Sequence, residues 1–142
     1  MNARHILQKL DDPRPLIVGL GGTTRADSST EKVIRMVLCA AEEAGARVLQ
    51  FSGPQLALPL YAPENPQRCA LALTLLDALR SADGLVLGSP AYHGGISGLV
   101  KNALDYTEDM AKDSRVYFDG VPVGCVVAGA GWQGANATLS AL

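Results

Sequence analysis

The sequence predicts an α/β fold, a doubly wound parallel sheet with helices on both faces, and three observations support this. Short apolar runs alternate along the 142 residues with longer amphipathic stretches, as expected of repeated βαβ units in one domain. The apolar runs are continuous, which is typical of strands buried on both faces. The composition is 48% hydrophobic but only 5% aromatic, which suits helices packed closely against aliphatic strands.

The first third of the chain predicts two strands joined by a helix. Residues 16–20, LIVGL, form the first apolar run and are assigned to strand β1. Ser29 or Thr30 can cap the helix that follows, and Gly45 ends it. Arg47–Phe51 predicts β2, which is shorter and more polar and is therefore expected near a sheet edge. The apolar face expected on the helix consists of Val33, Ile34, Val37, Leu38 and Ala41.

The middle of the chain predicts a loop, a helix and a strand. Residues 52–66 contain four prolines and must form a loop. Residues 67–81 carry apolar side chains at helical spacing. Residues 85–88, LVLG, predict a third buried strand, β3.

The last third predicts a helix that begins at Gly98 and a fourth buried strand, β4, at residues 121–128. The apolar stripe of this helix is wider than one face of a sheet requires. Either the surplus mediates self-association, as a homodimer or homotetramer, or the whole stripe faces the sheet. The stripe consists of Leu99, Val100, Ala103, Leu104 and Tyr106.

These elements predict an N-terminal extension at residues 1–14 and one domain at residues 15–142, with strand order 2-1-3-4. A complete sheet of this kind has five strands in the order 2-1-3-4-5. The sequence stops at Leu142, inside the next expected helix. We therefore expect the domain to be truncated before its fifth strand, the alternative being an unusual closure of the sheet.

Charge and composition exclude several classes of function. The formal net charge of −2 comes from interspersed charges, so no basic stripe is available for nucleic acid. No apolar run approaches the roughly 20 residues of a membrane span, and the start lacks a signal-peptide pattern, so we expect a cytoplasmic protein. Cys39, Cys69 and Cys125 show no metal-ligand spacing. We interpret them as structural thiols that pack as small hydrophobes.

Polar, glycine-rich loops follow β1, β3 and β4, where an open parallel sheet binds its ligands. The first loop, GGTTRADSST, places hydroxyls and backbone amides at a helix N-terminus, which favours a phosphate. Arg25 adds a positive charge. The alternative is an ordinary helix cap beside a solvated arginine. The candidate hydroxyl residues are Thr23, Ser28, Ser29 and Thr30.

Two better-known phosphate loops do not fit. No Lys follows the glycines as a nucleotide-hydrolase P-loop requires. Thr24 stands where the third glycine of a dinucleotide-binding loop belongs, and Phe51 and Ser52 stand where its ribose-binding acid should be. A Rossmann-type dehydrogenase is therefore the lesser interpretation.

The loop after β3 is the most specific stretch. Pro90 stiffens the strand exit, Tyr92 and His93 supply flat and polar groups, and Gly94 and Gly95 let a planar ring approach the backbone. Taken singly, His93 is more often a surface residue and Tyr92 a packing residue. Together at a strand end they indicate the wall of a pocket for a planar ligand.

Three segments, in this order and spacing, resemble the NADPH-dependent FMN reductase family. They are Gly22-Thr23-Thr24-Arg25-x-x-Ser28, then Leu58-Pro59-Leu60-Tyr61, then SPAYHGGISGLVKNALD at residues 89–105. The resemblance runs from about Pro15 to the end. It implies a flavodoxin-like fold, FMN bound without a covalent bond, NADPH or NADH as cosubstrate, and a dimer or tetramer.

The resemblance also implies roles for individual residues. Thr23, Arg25 and the hydroxyls of Ser28, Ser29 and Thr30 would hold the phosphate. The remaining flavin contacts would come from Pro90, Ala91, Tyr92, His93, Gly94 and Gly95 on one side and from Gly129, Ala130 and Gly131 on the other. Three positions depart from the family pattern, because Thr23 and Gly95 replace Ser and His93 replaces Asn.

The function that follows is hydride transfer from the nicotinamide to FMN and then to a small-molecule acceptor such as a flavin or quinone. Because the flavin carries this chemistry, no residue is nominated as a catalytic acid or base. A second hypothesis is a flavodoxin-like electron carrier or flavin-binding module without turnover of its own. No metal site is predicted.

Overall fold

The computed structural model describes residues 12–142 and contains one parallel sheet. Its strands are β1 (Leu16–Gly21), β2 (Arg47–Phe51), β3 (Gly84–Pro90) and β4 (Val123–Ala128), in the order β2-β1-β3-β4. This confirms the predicted order and the edge position of β2. Because β1 lies between β2 and β3, the 3-2-1-4 order of a Rossmann dehydrogenase is excluded.

Four helices accompany the sheet: α1 (Ser29–Glu43), α2 (Ala70–Arg80), α3 (Gly98–Asp105) and α4 (Trp132–Ala141). Helix α1 packs on one face and α2 and α3 on the other. Helix α4 packs beside β4. This arrangement on both faces is the doubly wound fold that the sequence predicts.

The two faces of the sheet bury very different amounts of apolar side chain. We call the face beneath α2 and α3 the large core, since buried apolar side chains from β1, β2, β3 and both helices fill it. We call the face beneath α1 the small core, because its buried apolar residues within residues 12–142 are Ile34, Leu38 and Val86 alone. The large core therefore supplies most of the hydrophobic stabilisation.

Helix α1 lies unusually close to the sheet. A Cβ at Gly19 would stand 2.6 Å from Cγ2 of Ile34, and one at Gly88 would stand 2.5 Å from its Cδ1. This close approach buries only a narrow ridge of the helix, Thr30, Ile34 and Leu38. The wider apolar face predicted for α1 is therefore wrong, since Val33 and Val37 are exposed and Ala41 is half-buried.

Two predictions of burial are wrong. Strand β4 was expected to be buried, but none of its six residues is fully buried, because β3 is its only strand neighbour among the described residues. The three cysteines were expected to pack as hydrophobes, and all are exposed. Cys39 lies on the outward side of α1, Cys69 precedes the first turn of α2, and Cys125 lies in β4.

The apolar stripe of α3 faces the protein itself. Val100, Ala103 and Tyr106 are buried, and Leu99 and Leu104 are partly buried against the large core. Most of the stripe thus covers the large core, as the second alternative expects, and Leu99 and Leu104 remain partly exposed.

The predicted extension at residues 1–14 lies outside the described residues except for its last three. Within the described part of the chain, no helix has the length and apolar character to cross a membrane.

Candidate functional site

The carboxyl ends of β1, β3 and β4 border one cleft of about 430 Å³, which we call the carboxyl-edge cleft. Its position is the one at which open parallel sheets bind ligands. Nine of the fourteen predicted site residues line it, whereas Ala91, His93, Gly94, Gly95 and Gly131 do not. Val127 and Ala128 also line it, and they are not among the residues predicted from the sequence. The predicted lining residues are Thr23, Arg25, Ser28, Ser29, Thr30, Pro90, Tyr92, Gly129 and Ala130.

Close backbone packing positions the loop after β1. Gly21 has φ +148°, and a Cβ there would stand 1.9 Å from the carbonyl oxygen of Gly88 in β3. The N–H of Gly22 donates to the same oxygen at 3.3 Å. Only glycine fits at position 21, and this contact sets the direction in which the chain leaves the sheet toward α1.

Ser28 caps helix α1 inside the cleft. Its Oγ accepts a hydrogen bond from the N–H of Glu31 at 3.3 Å, and the residue is buried, as is Thr30. A hydroxyl that accepts one bond still has its own proton to donate. The first backbone N–H groups of the helix have no partner within the helix, so this end of the cleft offers several donors and the positive end of the helix dipole.

The charges beside this cap are largely balanced. Arg35 pairs with Asp27 at 2.7 Å and lies 3.9 Å from a carboxylate oxygen of Glu31. The hydrogen bond from Arg35 lowers the pKa of Asp27. Arg25 makes no ion pair with any described residue. It is therefore the cation left free to meet an anion in the cleft.

The hydroxyl of Thr23 hydrogen-bonds to the backbone of its own loop. Its Oγ1 accepts from the N–H of Arg25 at 3.2 Å and donates to the carbonyl of Arg25 at 3.3 Å. The hydroxyl thus stabilises the turn that carries Arg25, and in this conformation its proton is engaged.

The loop after β3 folds back in a tight turn. The N–H of Gly95 donates to the carbonyl of Tyr92 at 3.0 Å, and His93 and Gly94 have φ +52° and +75°. Two central residues with positive φ make this a type I′ turn. Asn and His both tolerate this conformation better than most residues, which explains why His can stand where the family pattern has Asn.

The loops after β3 and β4 touch each other. The N–H of Ala91 donates to the carbonyl of Ala128 at 2.9 Å, and a Cβ built on Gly129 would stand 3.0 Å from that of Ala91. Trp132 follows these glycines at the start of α4 and is 78% exposed.

Asn102 holds the Leu58–Tyr61 segment on the large-core side. Its Oδ1 accepts from the N–H of Tyr61 at 2.9 Å, and its Nδ2 donates to the carbonyls of Leu58 at 3.3 Å and Pro59 at 2.9 Å. The Tyr106 hydroxyl also donates to Pro59, at 3.0 Å. The segment does not line the carboxyl-edge cleft.

An ion pair sits beside that segment. Nε of Arg68 lies 2.6 Å from Asp109, and the guanidinium lies 4.7 Å from the ring centre of Tyr61 and 5.6 Å from that of Tyr106. The hydrogen bonds from Arg68 lower the pKa of Asp109. Desolvation, with Asp109 nearby, raises the pKa of Tyr61. These groups satisfy one another, which indicates a structural cluster.

Comparisons with known proteins agree with the fold and the sequence motifs. The NADPH azoreductase of Bacillus sp. (strain OY1-2) is 35% identical over 126 residues, which is 87% of this chain and 65% of that protein. In structure, the FerB NAD(P)H:(acceptor) oxidoreductase of Paracoccus denitrificans matches 89% of this chain and 67% of its own, with a TM-score of 0.67 at 20% identity. The NADH:FMN oxidoreductase EMOB matches 87% of this chain and 63% of its own, with a TM-score of 0.64 at 22% identity.

The chain thus spans 65% of the length of the Bacillus relative. Residues 15–142 match the family described as NADPH-dependent FMN reductase. That match covers the whole predicted domain, including all three motif segments. The chain therefore belongs to the NADPH-dependent FMN reductase family.

Proposed function

We propose that this chain binds FMN in the carboxyl-edge cleft and serves as the flavin-binding part of an NAD(P)H-dependent oxidoreductase. One observation carries the proposal: the hydroxyl-rich start of α1 and the loops after β3 and β4 line the same cleft. A volume of about 430 Å³ lies within the range of roughly 300–1,000 Å³ for small-molecule pockets.

The start of α1 fits the phosphate of FMN. Ser28 retains a hydroxyl proton, Ser29 and Thr30 add hydroxyls and backbone N–H groups, and Arg25 adds a free positive charge. The ion pair with Arg35 offsets the negative charge of Asp27, which directly precedes Ser28. Donors, dipole and charge at one helix end together favour a phosphate.

The rest of the cleft fits a planar ring. Pro90 and Tyr92 form one wall, and Ala128, Gly129 and Ala130 form another with little side-chain bulk. The other predicted contacts, Ala91, His93, Gly94, Gly95 and Gly131, belong to the turns behind these walls and are proposed to support them.

When bound, FMN supplies hydride acceptance from NADPH or NADH and electron transfer to a small-molecule acceptor. The residues of this chain orient the cofactor and leave part of the cleft open to solvent, so nicotinamide and acceptor can approach in turn. Flavins and quinones are the proposed acceptors. The names of the azoreductase relatives add azo compounds to those worth testing.

The test is FMN titration of the wild type and of Arg25→Ala, followed by turnover with NADPH and NADH. Loss of a charge-assisted contact should weaken FMN binding roughly ten- to a hundredfold. Arg14→Ala is the matched control, since Arg14 is an exposed arginine that precedes β1 at the opposite edge of the sheet. Equal FMN affinity in both variants contradicts the phosphate assignment. Tight FMN binding without reduction by either nicotinamide supports an electron carrier instead.

A further inference from the structure

We propose that Ser89 is a positioning residue that fixes the loop between β3 and α3, and through it one wall of the carboxyl-edge cleft. Ser89 is fully buried. Its Oγ donates to the carbonyl of Pro90 at 2.9 Å and accepts from the N–H of Ser97 at 2.9 Å. The role in flavin binding rests on the proposed function, whereas the role in holding the loop does not.

The Ser89 hydroxyl connects two ends of the loop. Ser97 is the N-cap of α3, and its own Oγ accepts from the N–H of Val100 at 3.3 Å. The bond from Ser97 N–H to Ser89 therefore ties the exit of β3 directly to the start of the helix. Between these two residues lie Pro90 and Tyr92, which line the cleft.

Two other hydrogen bonds fix the same loop. The N–H of Ala91 is held by the carbonyl of Ala128, and the N–H of Gly95 by that of Tyr92. Both act near the turn. The bond to Ser89 is the contact that anchors the far end of the loop, after the turn has reversed the chain direction.

A buried strand would ordinarily place an apolar side chain at this position, because burying a hydroxyl is unfavourable unless its bonds are made. Here both its donor and its acceptor capacity are used. Removing the hydroxyl leaves the N–H of Ser97 without its acceptor, and Ser97 is itself buried. Since an unpartnered buried N–H is strongly disfavoured, the loop end is expected to shift or open toward water.

The first experiment is amide hydrogen exchange of the full chain without FMN. Ser89→Ala should speed exchange at Ser97 and Gly95 at least tenfold. Thr107→Ala is the matched control, because it removes another buried hydroxyl, which donates to the carbonyl of Leu104 at 2.7 Å at the far end of α3. Unchanged exchange at both amides in Ser89→Ala overturns the proposal.

The second experiment measures FMN affinity and the visible circular dichroism of the bound flavin. Ser89→Ala should raise the FMN dissociation constant at least tenfold and alter the spectrum, and Thr107→Ala should change neither. A similar loss of affinity in the two variants, at a similar loss of melting temperature, overturns the positioning role. Ser89→Cys serves as a second variant, should Ser89→Ala not fold, because it keeps a side chain of similar size with a weaker hydrogen-bonding group. It should raise the FMN dissociation constant and alter the spectrum in the same direction, by less than the tenfold expected for Ser89→Ala.

These experiments separate the two proposals. If the wild type does not bind FMN, the proposed function fails and so does the flavin-positioning role, while hydrogen exchange decides whether Ser89 holds the loop. If the wild type binds FMN and Ser89→Ala binds it equally well with the same spectrum, the proposed function stands and the inference on Ser89 fails.

Discussion

The two faces of the sheet are stabilised in opposite ways. On the large-core side, bulky side chains such as Leu16, Phe51 and Leu79 fill the space between sheet and helices. On the small-core side, glycines at positions 19 and 88 remove side chains so that α1 can approach the strands. The first arrangement stabilises by burying apolar area. The second places the N-terminus of α1 beside the carboxyl ends of β1 and β3.

This difference indicates which substitutions should affect stability and which should affect the cleft. The cleft takes Thr30 and Ser28 from the start of α1, directly above the small core. The large core lies on the opposite face, beneath α2 and α3. We therefore expect large-core substitutions to lower stability alone, and small-core substitutions to change FMN affinity as well.

The largest effect on stability is expected for Leu79→Ala. Leu79 is fully buried in the large core, and truncating such a leucine lowers the free energy of unfolding by about 2–5 kcal/mol. FMN affinity, measured well below the melting temperature, should remain within twofold of the wild type. Leu73→Ala on the exposed side of the same helix is the control, and urea unfolding measures both. A large loss of affinity in Leu79→Ala contradicts the separation of the two faces.

The next largest effect is expected for Asp109→Asn. Its carboxylate accepts charged hydrogen bonds from Arg68, so the variant should lose about 1.5–3 kcal/mol at pH 7. Since folding lowers the pKa of Asp109 below its usual 3.8, this contribution is complete well above pH 3.8 and declines as the pH falls through the lowered pKa. Urea unfolding at pH 7 and pH 3 should show the difference from wild type shrinking at pH 3. An unchanged difference, or a comparable loss in the exposed control Asp119→Asn, contradicts the prediction.

A smaller loss of stability, coupled to FMN binding, is expected for Gly88→Ala. Its Cβ would stand 2.5 Å from Ile34 and 2.9 Å from Cγ2 of Thr30. Such overpacking lowers stability by about 1–3 kcal/mol and should displace the start of α1, weakening FMN binding severalfold. Gly124→Ala is the control, because its nearest atom, the Leu85 carbonyl oxygen, is 3.8 Å away. Unchanged FMN affinity in Gly88→Ala would mean that the close approach of α1 to the sheet does not determine how the cleft binds FMN.

The sequence predicted the large core better than the small one. Continuous apolar runs identified β1 and β3, and helical spacing identified α2. These elements could be predicted because the apolar side chains that bury them lie in their own sequences. The buried face of α1 was predicted too wide, since it depends on glycines in two other strands. The exposure of β4 depends on which strands flank it, and the apolar run of β4 itself does not indicate its neighbours.

For the cleft, the sequence predicted the loops but not the contacts that hold them. Hydroxyl and glycine content marked the loops after β1 and β3. Ser89 acts through a hydrogen bond to a residue 8 positions away, which no local pattern specifies. A serine inside an otherwise apolar buried strand was nevertheless a detectable anomaly, and it is the signal by which Ser89 could have been found.

The smallest effect on stability, and the sharpest test of the site, is expected for Gly94→Ala compared with Gly120→Ala. The two glycines have nearly the same backbone conformation, φ +75° and +74°, and neither added Cβ meets an atom closer than 3.9 Å. Each substitution should therefore lower the free energy of unfolding only by the cost of holding alanine in the left-handed conformation, roughly 1–2 kcal/mol. Equal melting temperatures in the two variants would confirm this.

With stability matched, any difference in FMN affinity reports on location. Gly94 lies in the turn behind Tyr92, whereas Gly120 precedes β4 at the other end of that strand from the cleft. In Gly94→Ala the chain should relax away from the left-handed conformation, which is strained for alanine. This movement should shift Tyr92 and weaken FMN binding severalfold, whereas Gly120→Ala should bind FMN as the wild type does. Equal FMN affinity in both variants would mean that the turn at His93 and Gly94 does not contribute to flavin binding. The start of α1 and the loop after β4 would then be the parts of the cleft that set the affinity.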